Sequence, residues 1–366
     1  MRILYLSGGY SPHDYRFLSA IAEAADRTYF GRLNTARVYE SRALPQGVEE
    51  VGWGKALDQD GQLTEAVESL KAVMDRVQPD LVHAGPIPSV AHYAAQSGFS
   101  PLISMSWGSD ILVEAQTDPA RSAARSTLSH SSLAFADCQI VKQELIALGM
   151  PADRIVVFPW GVELDHFSPR TGSSVRAELG WEGQDVVLST RSLEPHYGAA
   201  VVINGFIKAA AQNLEMRLLL LGRGSLQNRL QEKLTEAGMQ DRVHFAGQIE
   251  HQQLPAYYRA ADLYITASQS DGSSISLLEA MACGLPTLVS DIPGNREWVG
   301  EEEIGWLFPA GDSDWLSQGL LDAFSDPDRL AGMGEKARQV TQNRADWNHS
   351  VEVMLAAYRS ILSEAS

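Results

Sequence analysis

Residues 263–290 read LYITASQSDGSSISLLEAMACGLPTLVS. The first four, 263–266, are short, apolar and β-rich, and the spacing predicts a buried strand. A polar turn follows, then a helix over 274–283, then a second strand over 286–290. Strand, helix and strand in that order make one crossover unit of a parallel sheet. Moving toward the N-terminus, strands are expected at 185–190, 216–221 and 242–245, with helices at 199–211 and 226–237 between them. The first half alternates in the same way. Strands are expected at 2–6, 80–84, 101–106, 138–141 and 154–158, with helices at 16–25 and 64–77. The fold class is therefore α/β with parallel sheets.

Two such series in 366 residues suit two doubly wound domains, because one ordinary domain holds about 100–200 residues. The pattern breaks around 165–174, where Pro169, Gly172 and two serines interrupt it. The expected division is 1–168, joined by a returning C-terminal helix over 346–366, and 169–345.

Acidic residues number 46 and basic residues 29, a net charge of −17 spread over both halves. That argues against a general nucleic-acid binder, whose affinity rests on a basic surface, and leaves no obvious face for anionic lipid. Two cysteines far apart, Cys138 and Cys283, exclude a disulfide framework and argue against a cysteine zinc site. The opening apolar run is too short for a secretory leader, and no run of 18 apolar residues occurs. The expectation is a cytoplasmic protein without a transmembrane segment. The sequence leaves the oligomeric state open.

Ligands of open α/β sheets lie outside the C-terminal strand ends, so a cleft between the two domains is the expected site. Asp271-Gly272-Ser273-Ser274 is a turn feeding a helix, whose first N–H groups suit a phosphate. Glu279 follows on the first or second turn, where a carboxylate can accept from a ribose diol. The same residues also read as helix caps, with Glu279 on a solvated face. The acidic pairs Asp58/Asp60, Asp312/Asp314 and Asp326/Asp328 sit in polar stretches and read as turns or caps rather than metal ligands.

The segment 268–298 resembles the signature of the retaining GT-B glycosyltransferases of family 4, also called group 1. Asp271, seven residues, then Glu279-Ala280-Met281-Ala282-Cys283-Gly284-Leu285-Pro286 is similar to the family's Glu-x7-Glu and Ala-Met-Ala-x-Gly-x-Pro pattern. Residues 158–169 look like the family's linker, and Arg242–Gly247 like its strand beside the nucleobase. The resemblance implies two Rossmann-like domains and transfer of a sugar from a nucleoside-diphosphate donor, expected to be UDP-linked, to an unidentified acceptor. No cofactor is expected, and no metal, since the acidic pairs read as turns or caps.

Residue roles are carried over on the same terms. Glu279 would hold the ribose, and Ser273, Ser274 and Ile275 the diphosphate. Asp271 would hold hydroxyls of the donor sugar, although it is one methylene shorter than the family's Glu. Gln248 and Ile249 would meet the base through backbone. Arg191 matches the family's arginine that neutralises the leaving diphosphate. The family's lysine six residues on is Tyr197 here, and Arg223, in Gly222-Arg223-Gly224, is the candidate replacement cation. Gly222 and Gly224 read equally as a tight turn. In the first half, Ser7-Gly8-Gly9-Tyr10 stands where the family has a glycine-rich loop after its first strand, with His13 at the start of the first helix. His83 ends a strand similar to the family's Asp-Val-Val-His. Ser106-Trp107-Gly108-Ser109-Asp110 resembles its His-Gly-Ser-Asp, with Trp107 in place of the histidine beside the sugar. His13 and Trp107 are thus catalytic candidates, and Gly8, Gly9, His83 and Asp110 acceptor-side candidates. Both His83 and Asp110 also read as structural. Two other readings stay open: a nucleoside-diphosphate-sugar epimerase of the same shape, with His13 or His83 as acid or base, and a non-catalytic nucleotide-sugar binder.

Overall fold

The computed structural model describes residues 1–54, 62–169, 174–300 and 303–364. Asp58 and Asp60 lie outside them. Among the described residues the strands form two sheets, each paired in parallel throughout. The first runs β3-β2-β1-β4-β5-β6-β7. Its strands are β1 (Arg2–Tyr10), β2 (Arg27–Val38), β3 (Val48–Trp53), β4 (Leu81–Ala84), β5 (Leu102–Met105), β6 (Leu133–Ala136) and β7 (Ile155–Val157). The second runs β10-β9-β8-β11-β12-β13. It is built from β8 (Asp185–Ser189), β9 (Met216–Leu221), β10 (Val243–Gly247), β11 (Leu263–Thr266), β12 (Thr287–Ser290) and β13 (Gly305–Phe308).

Every residue of β4, β5, β11 and β12 is buried. Helices cover both faces of a parallel sheet, so its central strands are continuous apolar runs rather than alternating ones. The helix Ala199–Ala210 shows the complementary pattern: Val202, Ile203, Phe206, Ala209 and Ala210 recur every three or four residues and are buried against the β9 side chains Leu218 and Leu220.

The first helix, Pro12–Ala24, begins four residues before the expected position 16. Ser11 accepts from Asp14 N, and the Asp14 side chain accepts from Ser11 N at 2.8 Å, a capping box that fixes the start. Two other expectations are corrected. Cys138 to Val141 is not a strand. Cys138 caps the helix Gln139–Ala147, in which Val141 and Leu145 are buried at a spacing of four. A four-residue apolar run does not distinguish the two periods, and the strand is the preceding β6. Ser7 to Tyr10 is not a loop either. It continues β1 against β2, with a register shift between Ser7 and Gly9 that absorbs the glycines as a bulge.

Contacts divide the chain into two compact units, Met1–Pro159 with Ser350–Ser366, and Trp160–His349. The chain changes unit ahead of the position 168 read from the sequence, and residues 170–173 of the expected break lie outside the described residues. Val162 and Phe167 are buried in the second unit's core. Arg338 Nη1 donates to Phe167 O and Ala282 O, both at 2.8 Å. Val162 also bridges Asp346: Val162 N donates to Ala345 O at 2.7 Å and Trp347 N to Val162 O at 3.1 Å. The helix Trp347–Glu364 then buries Met354, Tyr358 and Ile361.

Candidate active site

In the second sheet the strand order reverses between β8 and β11, which are neighbours. Loops leaving adjacent strands at such a point diverge and open a crevice at their C-terminal ends. Arg191 follows β8, and the Asp271 turn follows β11. Arg191 Nη1 donates to Ser274 Oγ at 2.9 Å and Ser276 Oγ at 3.2 Å. Its Nη2 lies 2.8 Å from Asp271 Oδ2, a charge contact without hydrogen-bond alignment. Nε is buried with no hydrogen-bond partner. Burial opposes the guanidinium charge, but Asp271 favours it, and the balance raises the Arg191 pKa above the usual arginine value. Tyr197 sits with its ring face against this group, 4.2 Å from guanidinium carbon to ring centroid. Tyr197, at the position of the family's lysine, thus meets the guanidinium through a cation–π contact.

The helix Ile275–Ala282 starts at Ser274, which makes no side-chain cap because its hydroxyl meets Arg191. Ser273 is buried, and its Oγ lies 3.4 Å from Trp298 Nε1. The capping reading of this turn is therefore set aside. So is the solvated reading of Glu279, whose exposure is 7%. Tyr258 OH donates to Glu279 Oε2 at 2.7 Å. Tyr264 OH lies 2.8 Å from Ser276 Oγ. Gly294 packs behind the turn: a Cβ there would sit 2.3 Å from Gly272 O and 2.5 Å from Asp271 O.

Sequence reasoning missed Ser276, Tyr258 and Tyr264. Ser276 was within reach, being the next hydroxyl after Ser274, in the first turn of the same helix. Tyr258 lies 21 residues from Glu279, and nothing local announces the pair.

Arg223 follows β9. Its Nε lies 3.7 Å from the Cβ position of Gly247, at the end of β10. Gly224 is more than a turn residue, since a Cβ would fall 2.3 Å from Leu193 O in the loop that carries Arg191. Gln248 is exposed, and Ile249 is half-buried against the second unit's core. His244 on β10 is half-buried edge-on to Trp181, and burial lowers its pKa.

In the first unit the order reverses between β1 and β4. His13, in the first turn of its helix, and Trp107, after β5, are both half-buried there with ring centroids 5.9 Å apart. Gly8 and Gly9 lie in β1. Two acceptor-side candidates are corrected. His83 is fully buried, with Nδ1 2.5 Å from Tyr358 OH and Nε2 3.3 Å from Met105 Sδ. Burial pushes its pKa down to about 3, and both nitrogens face protein, so it is not placed for acid–base work. Asp110 is 1% exposed and accepts from Ile87 N, Ser106 Oγ and Trp107 N. Burial raises its pKa to about 6 against those bonds. It fastens the Trp107 loop to the loop after β4.

Asp312 and Asp326 cap the helices Ser313–Phe324 and Pro327–Arg344. Among the described residues no group of three or more His, Cys, Asp or Glu side chains is placed to hold a metal ion. No helix among them is long and apolar enough to cross a membrane.

A model described as glycosyl transferases group 1 matches residues 173–340, and one described as glycosyl transferase 4-like matches residues 2–142. The chain belongs to the group 1 glycosyltransferases. A D-inositol 3-phosphate glycosyltransferase from Nocardia farcinica is 31% identical over 236 residues, 61% of this chain and 51% of that protein. Mannosylfructose-phosphate synthase from Agrobacterium fabrum is 33% identical over 153 residues, 39% of this chain and 34% of that protein. The chain spans about half the length or less of these curated relatives. Among solved structures, Anabaena HepE in complex with UDP-glucose has a TM-score of 0.79 at 22% identity, covering 98% of this chain and 100% of that one. Sucrose-phosphate synthase from Thermosynechococcus elongatus has a TM-score of 0.82 at 20% identity, with 100% of both chains covered. The group 1 fold thus has two Rossmann-like parallel sheets here, the GT-B class.

Proposed function

We propose that this group 1 member is a cytoplasmic, retaining glycosyltransferase that moves a sugar from a nucleoside diphosphate, UDP, to an acceptor, with neither metal nor cofactor. The observation that carries the reading is the placement of Arg191 at the β8/β11 crevice, against the start of the 275–282 helix. A diphosphate leaving group needs positive charge that is already in place when the glycosidic bond breaks. Arg191 supplies it, the helix N–H groups add to it, and Tyr197 holds the guanidinium plane. Arg223, in the loop after β9, is the second cation. A charge built from arginines supports a metal-independent step. Asp271 takes sugar hydroxyls, Glu279 the ribose, and Gln248 with Ile249 the base.

The acceptor oxygen attacks the anomeric carbon on the face that the diphosphate leaves. The bond to the β-phosphate oxygen breaks with its electron pair, and that oxygen receives the acceptor's proton. Trp107 and His13 offer a ring surface to a sugar in the first unit, which takes the acceptor. Two buried cysteines without a disulfide suit a reducing compartment.

The test is a thermal-shift and mass-spectrometry screen against nucleoside-diphosphate sugars, with and without EDTA. One donor is expected to stabilise the protein and to release free sugar slowly, unaffected by EDTA. Conversion to an epimer, or no binding of any donor, would overturn the reading. Arg191→Ala is expected to lower turnover by about 10²–10³, the worth of one preorganised donor at a developing anion, and to weaken donor binding far less. Unchanged turnover would remove Arg191 from this role.

A further inference from the structure

Glu279 is a buried carboxylate on a side chain with three rotatable bonds, so something must hold it in one pose. One holder, Tyr258, is on the neighbouring helix, Leu254–Tyr258. Tyr258 is fully buried, with its ring edge-on to Phe167 at 5.8 Å and tilted on Tyr264 at 6.4 Å. A phenol so packed cannot swing, and its hydroxyl must find partners inside the protein. It donates to Glu279 Oε2 at 2.7 Å and lies 3.3 Å from both Thr190 Oγ1 and Ser276 O. Thr190 precedes Arg191, and Ser276 Oγ accepts from Arg191. The hydroxyl gives its single proton to the carboxylate and can accept from Thr190 Oγ1, which ties the carboxylate to the segment that carries Arg191.

We propose that Tyr258 is a positioning residue for nucleotide recognition: its buried hydroxyl fixes the Glu279 carboxylate where it receives the ribose hydroxyls, and registers it against the Arg191 segment. The inference rests on the reading of Glu279 as the ribose ligand. A charge-assisted bond at 2.7 Å is among the stronger hydrogen bonds, and it is made before any nucleotide arrives. Glu279 therefore meets the ribose without first losing side-chain freedom, and discrimination between a ribose and a sugar lacking its hydroxyls depends on Tyr258.

The test compares binding of UDP and 2′,3′-dideoxy-UDP to the full chain by calorimetry. Wild type is expected to prefer UDP. Tyr258→Phe keeps the ring and removes the hydroxyl. It is expected to lose about tenfold of that preference, the low end for a bond to a charged group, with dideoxy-UDP affinity held within about twofold. A loss of general packing would weaken both ligands alike, and that result, or an unchanged preference, overturns the proposal. The double variant Tyr258→Phe/Glu279→Gln guards against misfolding of the single one, because it removes the buried charge together with the hydroxyl that donates to it. If Tyr258 acts through Glu279, the double variant shows the same preference as Glu279→Gln alone, and any further loss overturns the proposal. A wild type without preference, or a Glu279→Gln variant that retains it in full, instead overturns the ribose reading, and this inference falls with it.

Discussion

Arg191 and Asp271 already neutralise each other in the absence of a donor. Their contact is short but poorly aligned, 2.8 Å without hydrogen-bond direction, and Arg191 Nε has no partner. On the donor placement proposed above, an incoming diphosphate would compete with Asp271 for the same guanidinium. Asp271→Asn is therefore expected to tighten UDP by about fivefold, the worth of an ion pair of about 1 kcal/mol, while sugar transfer slows. Calorimetry with UDP and a turnover assay check the two opposite signs; weaker UDP binding would refute the competition. This side-chain pair was legible only in part. The Asp271 and Glu279 spacing was readable because seven residues between two acids survive as a pattern along the chain. That the two acids lie in different surroundings, one against Arg191 and the other against Tyr258, depends on residues far away in sequence.

At the scale of elements, glycine and burial set what each strand end can present. The helix Pro293–Val299 presses Gly294 against the carbonyls of Asp271 and Gly272. Gly294→Ala would put a methyl group 2.3 Å from Gly272 O, so helix or turn must move. The expected cost is about 1–3 kcal/mol of stability, as for other overpacked sites. It comes with a loss of donor affinity larger than for an alanine at Gly332, where a Cβ meets nothing within 4 Å. Melts and UDP titrations of the two variants check this.

His83 links β4 to the C-terminal helix, and its protonation makes that link pH-dependent. It titrates at about 3 when folded and about 6.5 when unfolded, so the unfolded chain takes up the proton first. Its contribution is full above about 6.5 and is lost as the pH falls toward 3. Asp110, raised to about 6, acts oppositely: its contribution is full below about 3.8 and is lost as the pH rises through 6. Both wild type and His83→Met contain Asp110, so comparing their melting temperatures isolates the histidine. Wild type is expected to lose more between pH 6.5 and 4, and equal losses would show that His83 is not the titrating group. The apolar strands β9 and β11 were legible to the residue. β2 and β3 were not, since Arg27–Val38 mixes three arginines and a glycine with few consecutive apolar residues. Only the pairing of β2 between β1 and β3 makes it a strand.

At the scale of the whole molecule, the first unit is completed by residues from the far end of the chain. Met354, Tyr358 and Ile361 are buried in it, and Tyr358 stacks on Phe135 at 6.3 Å. Ending the chain after His349 removes five buried residues, of which Met354, Tyr358 and Ile361 are worth about 2 kcal/mol each, a large share of a domain stability of about 5–15 kcal/mol. Calorimetry is expected to show the first unit's transition lowered or lost and the second unit's retained. A uniform shift of one transition would contradict this. Alternation and length were enough to read two sheets, because each crossover unit is local. The site at which the chain changes unit was less legible, because Val162 and Phe167 join the second core through contacts with residues near 338 and 346.

That bridge has a consequence for how such proteins diversify. Where the chain enters the second unit, Val162 exchanges two backbone hydrogen bonds with Ala345 and Trp347, where it leaves. Entry and exit are side by side, so the 160–349 segment is topologically a cassette. A relative's segment grafted between those two points would have to close the same short bridge, and the seven strands of the first sheet, all of which precede residue 160, would stay continuous.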